Sequence, residues 1–225
     1  MTTTLKRHKS TKISQKSCNY GNIYHVLMQY YIMIVPLSVS TGNRVVAVLS
    51  PHEWVAIKKE LNEDYQVRFE FLLHTAMRIS EAEYVTEHPE CFRETHGAIF
   101  LPKVAGMGKV KSKIKSRQIM LSVPGVAAVK EYFDKKVGLL AYQNMEQVFK
   151  RAARDSNFDT KYITTKCLRK TMISWLMAVY QERQSQISFS AGHDYATMRV
   201  HYLTYGWRKE DIADMRSYTR GWGEA

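Results

Sequence analysis

The chain has 225 residues, 45% of them hydrophobic, which is enough for one globular core and a short appendage. Its 33 Lys and Arg against 21 Asp and Glu leave a formal charge of +12, which favours a polyanionic partner, nucleic acid before an anionic membrane surface. Three scattered cysteines, Cys18, Cys91 and Cys167, form no CxxC pair and argue for a reducing, cytoplasmic compartment rather than a disulfide framework.

Residues Met1 to about Gly21 are rich in Ser, Thr and Lys and read as a basic tail. The apolar run Val26 to Leu37 is too short to cross a bilayer and lies too far in for a secretory signal, so no membrane association is expected. Ile23 to Val39 fits either one helix or a strand broken at Pro36, and STGNR, Ser40 to Arg44, reads as a turn. A domain opens at LSPHEW, with Ser50 as N-cap, Pro51 in the first turn and Glu53 at the capping-box position. Trp54, Ile57 and Leu61 follow at helical spacing. These signs divide the chain into a basic tail with a short apolar segment, 1–46, and a domain, 47–225.

After a break at Asn62 to Asp64, a second helix places Phe69, Leu72, Leu73 and Ala76 on one face. Ser80 is expected to cap a short third helix, EAEYV. Ala98 to Val104 and Arg117 to Val123 carry strand signals, joined by AGMGKVKSKIKS as a long hairpin. Helical patterns then cover Val126 to Phe133, about Met145 to Arg154, and a longer stretch opened by Thr164 or Thr165. The last has a buried stripe of Leu168, Met172, Trp175, Leu176 and Val179. Two more helices follow, giving a mainly α chain with a small antiparallel β-sheet.

Several residue groups suit phosphate chemistry. Lys166 and Arg169 stand three apart near a helix start, where free N–H groups and the helix dipole add to their charge; a solvated cationic end is the ordinary alternative. Arg78 falls at a helix junction with Glu81 three residues on, a carboxylate able to hold the guanidinium still. An Arg78–Glu81 ion pair of purely structural use would look the same. Lys109, Lys111, Lys113, Lys115 and Arg117 alternate with Val110, Ser112, Ile114 and Ser116, so an extended strand would put all five cations on one side. Such a row neutralises a DNA backbone, or guards an exposed sheet edge with lysines. His88, Cys91 and His96 have a metal-like spacing but no obvious fourth ligand nearby.

Taken in order, TAMRISEAEYV, TKCLRKTMISWL and AGHDYATMRVHY resemble the three boxes of the tyrosine recombinases, the phage-integrase family. The resemblance covers about Val48 to Trp207 and implies that family's catalytic-domain architecture, mainly α with a small three-stranded antiparallel sheet. It implies roles by position: Arg78 and Arg169 as the two arginines, His193 as the histidine after the glycine, and Tyr202 as the nucleophile. The family's second box usually reads His-x-x-Arg. Lys166 stands at that histidine position, which is similar to integrases of archaeal spindle-shaped viruses.

The family also uses a hairpin lysine. GMGKVK resembles its Gly-Lys turn and points to Lys109, with Lys111 a near rival and Lys103 and Lys113 more distant ones. Lys111, Lys113, Lys115 and Arg117 would then follow the DNA backbone. The implied reaction is site-specific cutting and rejoining of double-stranded DNA through a 3′-phosphotyrosyl intermediate, with no cofactor and no metal. The implied assembly is a homo-oligomer, a tetramer on DNA. Family members clamp DNA with an additional N-terminal helical module, for which the residues before LSPHEW are too few. Alternatives are a type IB topoisomerase-like nicking and relaxing enzyme, or a non-cleaving DNA-binding accessory protein on the same fold.

Overall fold

The structure, a computed structural model, describes residues 37–41, 44–103, 116–193 and 206–224. Its first element is a hairpin whose pairing the sequence reading lacked, although the strand alternative for Ile23 to Val39 reaches the first three residues of it. Residues 23–36 lie outside the described residues. Strands β1 (Leu37–Thr41) and β2 (Arg44–Val48) pair antiparallel as a hairpin, Leu37 opposite Val48 and Thr41 opposite Arg44. The stretch expected to be a turn therefore contributes three of its five residues to strands. Val46, Ala47, Val48 and Leu49 are buried, so the core begins just upstream of residue 47. The run RVVAV has the β-branched composition of a buried strand, but it lies beside an apolar segment of ambiguous period and is marked off by no helical pattern.

Helix α1 (Pro51–Lys59) starts as expected. The Glu53 N–H donates to Ser50 Oγ at 3.3 Å and the Ser50 N–H donates to Glu53 Oε2 at 2.6 Å, a complete capping box. Asn62 caps α2 (Glu63–Thr75) through Oδ1, which accepts from the Tyr65 N–H at 3.0 Å. Ala76 ends α2 in the left-handed region, at φ 48°. Helix α3 (Ile79–Glu87) follows at once. Its N-cap is Arg78 and not Ser80, because the chain turns two residues earlier than a serine cap would allow.

A three-stranded antiparallel sheet in the order β3 (Phe92–Arg93), β4 (Ala98–Leu101) and β5 (Arg117–Met120) comes next. Leu101 pairs with Arg117 at its far end. The strands are shorter than their sequence signals. Pro102 has no N–H to extend the ladder, and Ser122 with Pro124 already begins α4 (Val123–Asp134). Helices α5 (Tyr142–Asp155), α6 (Lys166–Val179), α7 (Gln184–Ala191) and α8 (Lys209–Thr219) complete the described chain. It is mainly helical, as the sequence implies, with the expected three-stranded sheet and the additional hairpin. Among the described residues no helix is long and apolar enough to cross a membrane.

Helix α6 is the central spine, packed by α2, α8 and β2. Leu168, Met172, Trp175 and Leu176 are buried on it, while Val179 at its end is half-buried. The hairpin is fastened to the spine by polar bonds as well. The Leu49 N–H donates to Thr171 Oγ1 and Trp175 Nε1 donates to the Leu49 carbonyl, both at 2.9 Å. Trp54, Phe69, Phe71, Phe149 and Trp175 have no exposed surface. Each such side chain contributes on the order of 1.5–3 kcal/mol by leaving water, which keeps the ends of α2, α6 and α7 at fixed separations.

Candidate active site

Those three ends meet the start of α3 around one carboxylate. Glu81, in the first turn of α3, is 1% exposed. Its Oε2 accepts the Arg78 backbone N–H at 2.8 Å, the acceptor half of a capping box, and its Oε1 accepts from Arg78 Nη1 at 2.9 Å. Oε2 also accepts from Arg117 Nη2 at 2.7 Å, and Arg169 Nη1 lies 3.9 Å away. Burial alone would raise the Glu81 pKa. The Arg117 hydrogen bond and charge, the Arg169 charge and the Arg78 N–H overcome it and hold the carboxyl at about 2. Three guanidiniums thus share one carboxylate, and the cluster keeps an excess of positive charge.

The three arginines are not equivalent. Arg117 is 5% exposed and Arg169 11%, whereas the Arg78 side chain is 40% exposed. Arg169 Nη1 donates to the Ala76 carbonyl and Nη2 donates to the Ala191 carbonyl. The left-handed turn at Ala76 is what aims the first of these carbonyls across to α6. Arg169 Nη2 also meets His193 Nε2 at 3.0 Å. An arginine can only donate, so Nε2 accepts, and the ring in this arrangement is neutral with its proton on Nδ1.

His193 is held by its own backbone. Helix α7 ends at Gly192, φ 67°; the His193 N–H donates to the Ser188 carbonyl at 3.1 Å, and Ser188 Oγ donates to the His193 carbonyl at 2.8 Å. Arg78, Arg169 and His193, from three separate boxes of the sequence, are therefore brought to one place. Such a fixed set of donors beside a part-exposed guanidinium suits an anion with several oxygens, such as a phosphodiester, and would stabilise charge building on it.

The remaining sequence candidates divide differently. Lys166, the first residue of α6, is exposed, and its charge falls on Glu146 of α5 while Arg169 turns inward to Ala76 and Ala191. Arg117 does not belong to an exposed cationic row. The same period of two that aligns it with the lysines also aligns it with buried Ile119, and β5 turns that face inward. Lys109, Lys111, Lys113, Lys115 and Tyr202 lie outside the described residues. Sequence reasoning missed the burial of Lys170, whose loss of hydration pushes its pKa down to about 8. Beside Arg169 in KCLRK it looks like one more solvated cation, and only the packing around α6 removes it from water. Among the described residues no group of three or more His, Cys, Asp or Glu could hold a metal ion.

No family model matches the chain, and no curated protein matches it. Among solved structures, the crystal structure of XerA recombinase is similar to it, with a TM-score of 0.55 over 91% of this chain and 76% of that one. The sequences are 15% identical over the match, so the likeness is one of fold.

Proposed function

We propose that the chain is a site-specific DNA strand transferase of the tyrosine recombinase, integrase type. The observation that carries this is the gathering of Arg78, Arg169 and His193 around buried Glu81, in a fold similar to that of a recombinase. Arg78 and Arg169 neutralise the scissile phosphate, and His193 donates from Nδ1 to a non-bridging oxygen as charge builds there. Tyr202, its phenolic proton released to solvent as the surrounding positive charge favours the phenolate, attacks the phosphorus, forms a 3′-phosphotyrosyl bond and expels the 5′-oxygen, which takes a proton from Lys109. Attack of a 5′-hydroxyl on that bond, its proton returning to the neutral Lys109 amine, rejoins the strand and frees the tyrosine as a phenolate that takes a proton from solvent, so no external energy source is needed. Lys166, at the position of the second-box histidine, belongs to the catalytic set; Lys111, Lys113 and Lys115 follow the duplex backbone. The working unit is a homotetramer on double-stranded DNA, acting in a cytoplasm. The lysine at position 166 points to an integrase of an archaeal spindle-shaped virus, and hence to a host cell's cytoplasm.

The test is a library of nicked duplexes, randomised around the nick, incubated with the protein and with Tyr202→Phe and separated on a denaturing gel. A protein–DNA band present for the natural sequence and absent for the variant is expected. Salt-sensitive DNA binding without a covalent band from any sequence would refute strand transfer and leave a DNA-binding accessory protein.

A further inference from the structure

The geometry points to Arg117 as a positioning residue for the candidate active site: a buried guanidinium that locks the turn carrying His193 to the carboxylate carrying Arg78. The inference rests on the reading of that site given above. Arg117 Nη2 donates to Glu81 Oε2 at 2.7 Å and its Nε donates to the Ser190 carbonyl at 3.1 Å. One rigid planar group therefore spans from the first turn of α3 to the last turn of α7, which a single-nitrogen side chain cannot do. The α7 end is built around it. A Cβ placed on Gly192 would lie 3.0 Å from both Arg117 Cζ and Nε, so the guanidinium runs directly beneath the residue before His193. Gly192 is thus needed for its left-handed φ of 67° and also for the thickness of the arginine below it.

A second tie reinforces the registration. The Met120 N–H donates to Ser190 Oγ at 3.0 Å, so β5 holds α7 through its own backbone as well as through Arg117. Arg169 closes the circuit from the other side, donating to the Ala191 carbonyl and to His193 Nε2. The consequence for the site is specific. Moving Arg117 releases the Ser190–His193 turn from Glu81, and the Arg169–His193 contact loses its fixed distance while Arg78 keeps its own bonds to Glu81. Arg117 is 5% exposed and does not itself reach solvent where a phosphate would sit. Its action is on His193 through the turn, and on substrate only through His193.

The experiment compares the natural chain with Arg117→Lys and Arg117→Gln, by thermal melting, by the ¹⁵N shifts of the His193 ring without DNA, and by DNA affinity and covalent-complex formation on a nicked duplex. Lysine keeps a charge beside Glu81 but cannot bridge to the Ser190 carbonyl; glutamine keeps donors but no charge. The expected result is a folded Arg117→Lys protein in which His193 Nε2 loses its acceptor signature and DNA affinity stays within about threefold. The rate of covalent-complex formation is expected to fall on the order of 100-fold, as a displacement of about 1 Å at a reacting group does. Unchanged His193 shifts in a folded Arg117→Lys protein would overturn the inference, as would failure of both variants to fold, since Arg117 would then be a determinant of the fold alone. If the natural sequence forms no covalent complex, the strand-transfer reading fails, and the His193 shifts still decide the role of Arg117.

Discussion

Replacing Glu81 by glutamine removes the charge at the centre of the arginine cluster while keeping its volume. In the folded protein the carboxyl is held at about 2, against 4.5 for the free group. That difference corresponds to about 3 kcal/mol of folding stability, and with 1% exposure solvent screening removes little of it. The cost seen from the partner is of the same order, because leaving the buried Arg117 guanidinium without its counter-charge typically costs about 3–5 kcal/mol. The two figures describe one loss and do not add. A fall in melting temperature of roughly 6–12 °C at pH 7 follows for a chain of this size.

The pH dependence is the sharper part. Folding favours the ionised form, so the unfolded chain binds more protons between pH 4.5 and 2. The Glu81 contribution is complete above pH 4.5 and disappears as the pH falls toward 2. Urea unfolding of both proteins from pH 7 to 3 should therefore show the gap narrowing below pH 4.5. A Glu81→Gln protein within 1 kcal/mol of the natural one at pH 7, or a gap that does not change with pH, would refute the account of Glu81 as an ionised hub.

Gly192→Ala places a Cβ against Arg117 and forces alanine into a left-handed backbone, and should cost about 1–3 kcal/mol by calorimetry; a loss under 0.5 kcal/mol would mean that the turn relaxes freely. Thr171→Val leaves the buried Leu49 N–H without its acceptor and should cost about 1–3 kcal/mol in urea unfolding, most of it restored by Thr171→Ser; equal loss in the two variants would remove the hydrogen bond as the cause. Ala76→Gly relieves a φ of 48° at the turn that aims the carbonyl at Arg169 and should stabilise the chain by up to about 1 kcal/mol, with destabilisation of that size as the contrary result.

The helices were legible wherever a cap coincided with an apolar period. Ser50 and Glu53 announce α1, and Leu168, Met172, Trp175 and Leu176 mark the buried stripe of α6, whereas Ser122, the N-cap of α4, falls inside the strand expected from Arg117 to Val123. Periodicity and capping are local, so sequence carries them. The pairing of β1 with β2 was not legible, because strand pairing depends on what covers the strand, here Thr171 and Trp175 on α6, more than a hundred residues away. Sequence order also suggested Arg78, Arg169 and His193 as members of one set, through the family their boxes resemble. It also put Glu81 beside Arg78, as the structure has it, but did not determine that Arg117 shares the same carboxylate and that Arg169 approaches it.

Charge patterning misled at Arg117 and gave no sign of the burial of Lys170, for one physical reason. Arg117 and Lys170 lie in runs of cations, yet both side chains are buried. A basic run shows which residues are charged, not which of them the packing withdraws from water. What the sequence determined by itself is the helical frame and the list of chemical groups. The tertiary structure alone decided that the carboxylate beside Arg78 also serves Arg117, which guanidinium is part-exposed, and which is enclosed to hold the others in place, since these depend on distances between elements that no local pattern encodes.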